Sequence, residues 1–168
     1  MAVVEHARFG RLDTGTTDGP DVIWQGTGQL AGEEVEVLLW AGSAGEPSVG
    51  ELDLLAARLG DLPALDAAAR EALRAHLRED RSFIDFHIDE LEGAEAVERL
   101  VGAAGGEQVG ADAFVAALRP HGIGLWLNGV SAGAPVVLDY VFAPDVSDQI
   151  LAVRMTAEGA VDSVDWES

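Results

Sequence analysis

No cysteine and no lysine occur in this chain of 168 residues. The first absence removes disulfides, thiolate nucleophiles and zinc–thiolate sites together. The second leaves arginine as the only strong base, and the ten arginines stand against 30 acidic residues for a net charge of −20. A surface so poor in cations repels phosphate backbones, whose binding relies on clustered Lys and Arg. The charge therefore speaks against nucleic acid and anionic membranes as partners, and for basic proteins. Solubility or a high-salt habitat is the plainer use of the same acidity. Long apolar runs are missing too: none approaches the roughly 20 residues that span a bilayer. The N-terminus meets Glu5, His6 and Arg8 too early for a signal-peptide core, so a cytoplasmic location is expected. What remains, 48% hydrophobic residues, fits a single domain over residues 1–168.

The patterns run strands, helices, strands. Phe9 to Leu12 reads as a short first strand and Thr14 to Pro20 as a loop. Residues 22–30 and 33–41 alternate apolar and polar side chains around Ala31-Gly32, as an antiparallel hairpin does. Pairing Trp24 with Leu39 and Gly26 with Val37 puts Val22, Trp24, Leu30, Val35, Val37 and Leu39 on one face. Ser48 and Glu51 then stand at capping-box spacing before the stripe Leu52, Leu55, Ala56, Leu59. Gly60 stops that helix, and Asp61 with Pro63 opens another, to about Asp80. Ser82 is expected to cap a third helix, from Phe83 to about Glu92. Two more are expected on either side of Gly105-Gly106.

From Arg119 onward, short strands alternate with Asn-Gly, Pro-Asp and Glu-Gly turn signals, which spells a meander. Pairing Leu125 with Leu138 and Tyr140 with Val153 gives one apolar face and sets Asp139 opposite Arg154 on the other. The final hairpin admits two registers, Val153 with Val164 or Arg154 with Asp162. The expected fold is α+β: a mostly antiparallel sheet built from the N-terminal hairpin and the C-terminal meander, with the helical block packed on one face.

His87 is the best candidate for chemistry. It falls within the apolar arc of Phe83, Ile84 and Leu91, with Glu90 one helical step further. A histidine in an apolar stripe beside a carboxylate can serve as a tuned general base. The alternative is a core histidine bonded to a backbone carbonyl or to Glu90. One His and one Glu fall short of the three or four ligands zinc takes, so neither metal nor cofactor is expected. Asp85, Asp89, Glu92 and Glu95 read as a solvated face. The candidate binding residues lie elsewhere. His121 sits at a helix-to-strand junction, and Asp139 in the apolar run PVVLDYVF is either a buried acid with a shifted pKa or the partner of Arg154. Trp40 and Trp126 point away from the expected core, marking a second layer or a partner interface. Gly26 and Gly28 belong to a strand with no helix following, which is not a phosphate loop.

Phe9-Gly10, Phe86-His87 with Glu90-Leu91, Gly122-Ile123-Gly124-Leu125, Leu138-Asp139-Tyr140 and the terminal Glu158-Gly159 occur in an order that spans nearly the whole chain. In these the sequence resembles the uncharacterised bacterial family called domain of unknown function 2004, with Trp126 where the family is expected to carry tyrosine. The resemblance implies a small bacterial protein and no transferable activity. The leading expectation is a non-catalytic interaction domain, one version being an immunity-type inhibitor of a basic toxin. The alternative is a hydrolase or metal-dependent enzyme using His87 and Glu90, which needs these and His121 or Asp139 in one cleft. A domain that self-associates through the Trp126 face is a third reading, so monomer and homodimer both stand open.

Overall fold

The computed structural model describes residues 3–14, 21–42, 47–127 and 133–168. Its first two strands, β1 (Val3–His6) and β2 (Gly10–Asp13), form a small antiparallel sheet of their own. The expected first strand is thus the second of a pair and stays outside the main sheet. Phe9, in the turn between them, is buried edge-on against Trp24 at 5.0 Å.

The hairpin β3 (Asp21–Leu30) and β4 (Glu33–Ala41) pairs Trp24 with Leu39 and Gly26 with Val37, in the expected register. Ala31 and Gly32, at φ 50° and 78°, make the left-handed two-residue turn whose twist suits a hairpin. A bulge between Val22 and Trp24 takes Val22 off the inner face and sets it opposite Trp40. A side chain at Gly26 would run into the Trp24 indole, which is itself held by Phe9. Gly26→Val is expected to destabilise the fold by about 1–3 kcal/mol, read as a lower Tm in thermal unfolding followed by circular dichroism.

Five helices follow: α1 (Val49–Leu59), α2 (Leu62–Glu79), α3 (Ser82–Glu90), α4 (Glu95–Ala104) and α5 (Ala111–Ala117). The Ser48–Glu51 capping box is formed in both directions. Ser82 does not cap α3 but begins it. The Asp80 carboxylate accepts from the Ser82 amide and hydroxyl, and these bonds hold its pKa below the ordinary value. The long α2 buries Leu65, Ala69, Leu73 and Leu77 against the sheet. Its polar anchor is Asp66, which accepts from the Tyr140 hydroxyl at 2.7 Å and from Arg70 Nε at 3.0 Å. Arg70 also donates to the carbonyls of Val115 and Leu118, so one guanidinium fixes where α5 ends and β5 begins.

The main sheet runs β3-β4-β5-β6-β7-β8, with β5 (Arg119–Trp126), β6 (Val136–Val141), β7 (Ile150–Met155) and β8 (Val161–Glu167). Among the described residues its only parallel neighbours are β4 and β5. The helical block is the crossover between them, since a chain returning in the same direction must cross a face of the sheet. The architecture is α+β, with the core drawing its main-sheet side chains from the inner face: Val37, Leu39, Ile123, Leu125, Leu138 and Val153 among them.

The meander's register differs from expectation by two residues. Ile123 faces Leu138, Leu138 faces Val153 and Tyr140 faces Leu151. Ala143, at φ 49°, begins the β6–β7 turn early, and its carbonyl accepts from the amides of Val146 and Ser147. A shift of two preserves the faces, because side chains alternate with period two. It does change the partners. Asp139 stands opposite Ala152, not Arg154, and Arg154 stands opposite Val137 and Ser163. The last hairpin takes the Val153–Val164 register, with a bulge between Arg154 and Met155. The expected Asn128-Gly129 turn lies outside the described residues, as do most of the loops 14–20 and 42–47.

Candidate functional site

The outer face of the sheet, turned away from the core cluster, carries a cleft of about 290 Å³. His121, Trp126, Asp139 and Arg154 all line it, joined by Trp40, Glu36 and Glu167. Five strands, β4 to β8, supply the binding candidates' setting through their register. One row across the sheet reads Glu36, Gly122, Asp139, Ala152, Asp165, and the next reads Leu38, Gly124, Val137, Arg154, Ser163. Glycine at 122 and 124 leaves β5 bare between two strands that bear side chains, and this hollow is the cleft floor. A bulge between Pro120 and Gly122 makes His121 the extra residue of β5, and bulges of this kind re-aim a side chain.

The aromatic wall comes from the parallel pairing of Trp40 with Trp126. Their rings stack with centroids 5.0 Å apart and planes 8° off parallel. The indole nitrogen edge of Trp126 lies over Gly124, where a Cβ would come within 3.2 Å of Nε1. Opposite the wall, Arg154 is held by Asp165 Oδ2 at 3.1 Å and Glu167 Oε1 at 2.9 Å. Glu36 accepts from the Gln25 side chain. Asp139 is different: its Oδ1 is buried and has no hydrogen-bond partner. Burial and then the Glu167 charge push its pKa up from 3.8 to about 6, with His121 and Arg154 acting in the opposite direction. A carboxylate so placed is an acceptor without a donor.

His87 sits in the other layer. Its residue is fully buried, ringed by Phe83, Phe86, Phe114 and Phe142 at centroid distances of 4.4 to 5.9 Å. Nδ1 lies 2.7 Å from the Phe83 carbonyl and Nε2 lies 2.9 Å from Ser147 Oγ. A carbonyl only accepts, so Nδ1 carries the proton and Nε2 accepts from the serine hydroxyl. Burial lowers the His87 pKa, which keeps the ring neutral, and the Phe83 bond offsets part of this. Glu90 is exposed and bonds to neither ring nitrogen. The expected His87–Glu90 pair is therefore not assembled, because α3 turns Glu90 to solvent while both nitrogens find other partners.

A serine donating to a neutral histidine has the tautomer of a hydrolase dyad. The surroundings do not complete one. The amides of Val146 and Ser147 bond to Ala143 O, and that of Gln149 bonds to the serine oxygen itself, so none of these three is a free oxyanion donor. The sheet also stands between His87 and the His121–Asp139 side. Asp85, Asp89, Glu92 and Glu95 are exposed. No group of three or more metal-ligating side chains occurs among the described residues, nor a helix long and apolar enough to cross a membrane.

Sequence reasoning named Trp126, Asp139, Arg154 and His121 without the neighbours that make them a cleft. The missed signal was Gly122-Ile123-Gly124, glycines alternating within a strand, a pattern that marks close approach or hollowing. Ser147 was missed as well; nothing local points to it, since it meets His87 from 60 residues away. No family model, curated protein or solved structure matches the chain.

Proposed function

We propose that the protein is a non-catalytic interaction domain that docks a basic protein partner on the outer face of its sheet. The observation that carries this reading is the convergence of two stacked tryptophans with an unpartnered carboxylate in one uncovered cleft. The net charge of −20 supplies long-range attraction for a cationic partner and repels anionic ones. Aromatic anchors at the centre of a contact are where binding energy concentrates. An inhibitor of a basic toxin, acting in the cytoplasm, is one form such a domain takes. The resemblance to the uncharacterised bacterial family, carried by Phe86-His87 and Leu138-Asp139-Tyr140, belongs to the same proposal and adds no activity to it.

Affinity capture from the native host at low salt, with wild-type and Trp126→Ala baits side by side, tests the reading. A stoichiometric basic protein should be held by the wild type, released by added salt, and weakened by about tenfold or more in the variant. Recovery of no such protein, or equal retention by both baits, would overturn it.

A further inference from the structure

Resting on that reading, we infer that the cleft receives the guanidinium of an arginine side chain from the partner, in preference to a lysine ammonium. The size comes first. At about 290 Å³, the cleft falls just below the roughly 300–1,000 Å³ of ligand pockets, which suits one side chain, not a folded element. The walls then select among side chains. The Trp40–Trp126 stack offers a flat π surface, and a planar, weakly hydrated guanidinium lies on such a surface more readily than a compact, strongly hydrated ammonium. Leu38, Val137 and the glycine floor add apolar surface, which again favours the less hydrated cation. Asp139 supplies a carboxylate whose buried Oδ1 lacks a donor, and a guanidinium N–H can make a charge-assisted bond to this group.

The charges agree. Arg154 is already matched by Asp165 and Glu167, which leaves Glu36 and Asp139 to face an incoming cation. An anion would meet three carboxylates, Glu36, Asp139 and Glu167, across the same space. Trp126 Nε1–H has no protein acceptor among the described residues and can take a carbonyl of the peptide that carries the arginine. Acid should weaken the contact. Asp139, whose pKa is raised to about 6, loses its charge as pH falls. The titratable and charged groups around it are Glu36 of β4, His121 of β5, Arg154 of β7, and Asp165 and Glu167 of β8.

The test uses three small probes, the N-acetyl methylamides of arginine, lysine and citrulline, titrated into the whole chain while the tryptophan indole N–H signals are followed by NMR. At pH 7.5 the arginine probe should shift Trp40 and Trp126 saturably, leaving Trp24 and Trp166 in place. The lysine probe should bind about fivefold more weakly and citrulline not at all. Asp139→Asn should abolish the saturable shift, and the wild type should bind more weakly at pH 5. Equal binding of arginine and lysine would overturn the guanidinium claim while leaving a basic partner in place. Binding of citrulline as tight as arginine, or no saturable shift with any probe, would overturn both.

Discussion

His87→Ala will destabilise the fold by about 3–5 kcal/mol, the range for emptying an aromatic-sized site in a packed core. The imidazole fills space among Phe83, Phe114 and Phe142, and its Nδ1–H donates to the Phe83 carbonyl. It also ties the β6–β7 turn to α3 through Ser147. Alanine opens a cavity and removes both bonds at once. Urea unfolding should show a lower midpoint with an unchanged slope, and His87→Phe should recover part of the loss by refilling the space. The pH dependence separates the two replacements from the wild type. The His87 pKa is lowered in the folded state, so its neutral form favours folding. That contribution is whole above the unfolded value near 6.5 and fades as pH falls through the lowered folded value. The wild type should lose stability on acidification over that window, and neither variant should share this component.

Asp139→Asn should act in the reverse sense, raising stability while removing binding. Its pKa rises from 3.8 to about 6 on folding, so the charged form disfavours the native state. At about 1.4 kcal/mol per pH unit, the ceiling on the gain is near 3 kcal/mol; partial solvent access brings the expected value to about 1–2 kcal/mol. The sign follows from linkage. Stability tied to Asp139 is whole below the unfolded value of 3.8 and is lost as pH rises through about 6. The variant should therefore melt higher than the wild type at pH 8 and level with it near pH 4. A residue kept at a cost to folding is what a binding site predicts. A variant of equal or lower Tm at pH 8 would remove that argument.

The faces of the sheet were legible because alternation survives a shift of two residues, and Val37, Leu125, Leu138 and Val153 fall inward under either register. The capping box was legible because its bonds are local. Partners across strands were not. Where the β6–β7 turn begins depends on the left-handed Ala143, a conformation that alanine does not announce. The parallel joint between β4 and β5, which stacks Trp40 on Trp126, depends on how five helices bring the chain back. The same long-range closure put Ser147 against His87 and left Glu90 in solvent. His87 was the residue the pattern favoured for chemistry, yet an apolar arc with one histidine describes a core position as well as a catalytic one.

The affinity of the captured partner for two charge-matched variants tests the role of the cleft most directly. Glu36→Gln/Asp139→Asn removes two charges in the cleft, and Asp89→Asn/Glu92→Gln removes two exposed charges in the helical layer. The cleft variant should lose about tenfold or more in affinity, and the helical variant less than about twofold. Equal losses in both would show that the partner answers to overall acidity, and a larger loss in the helical variant would place the docking surface on the other layer.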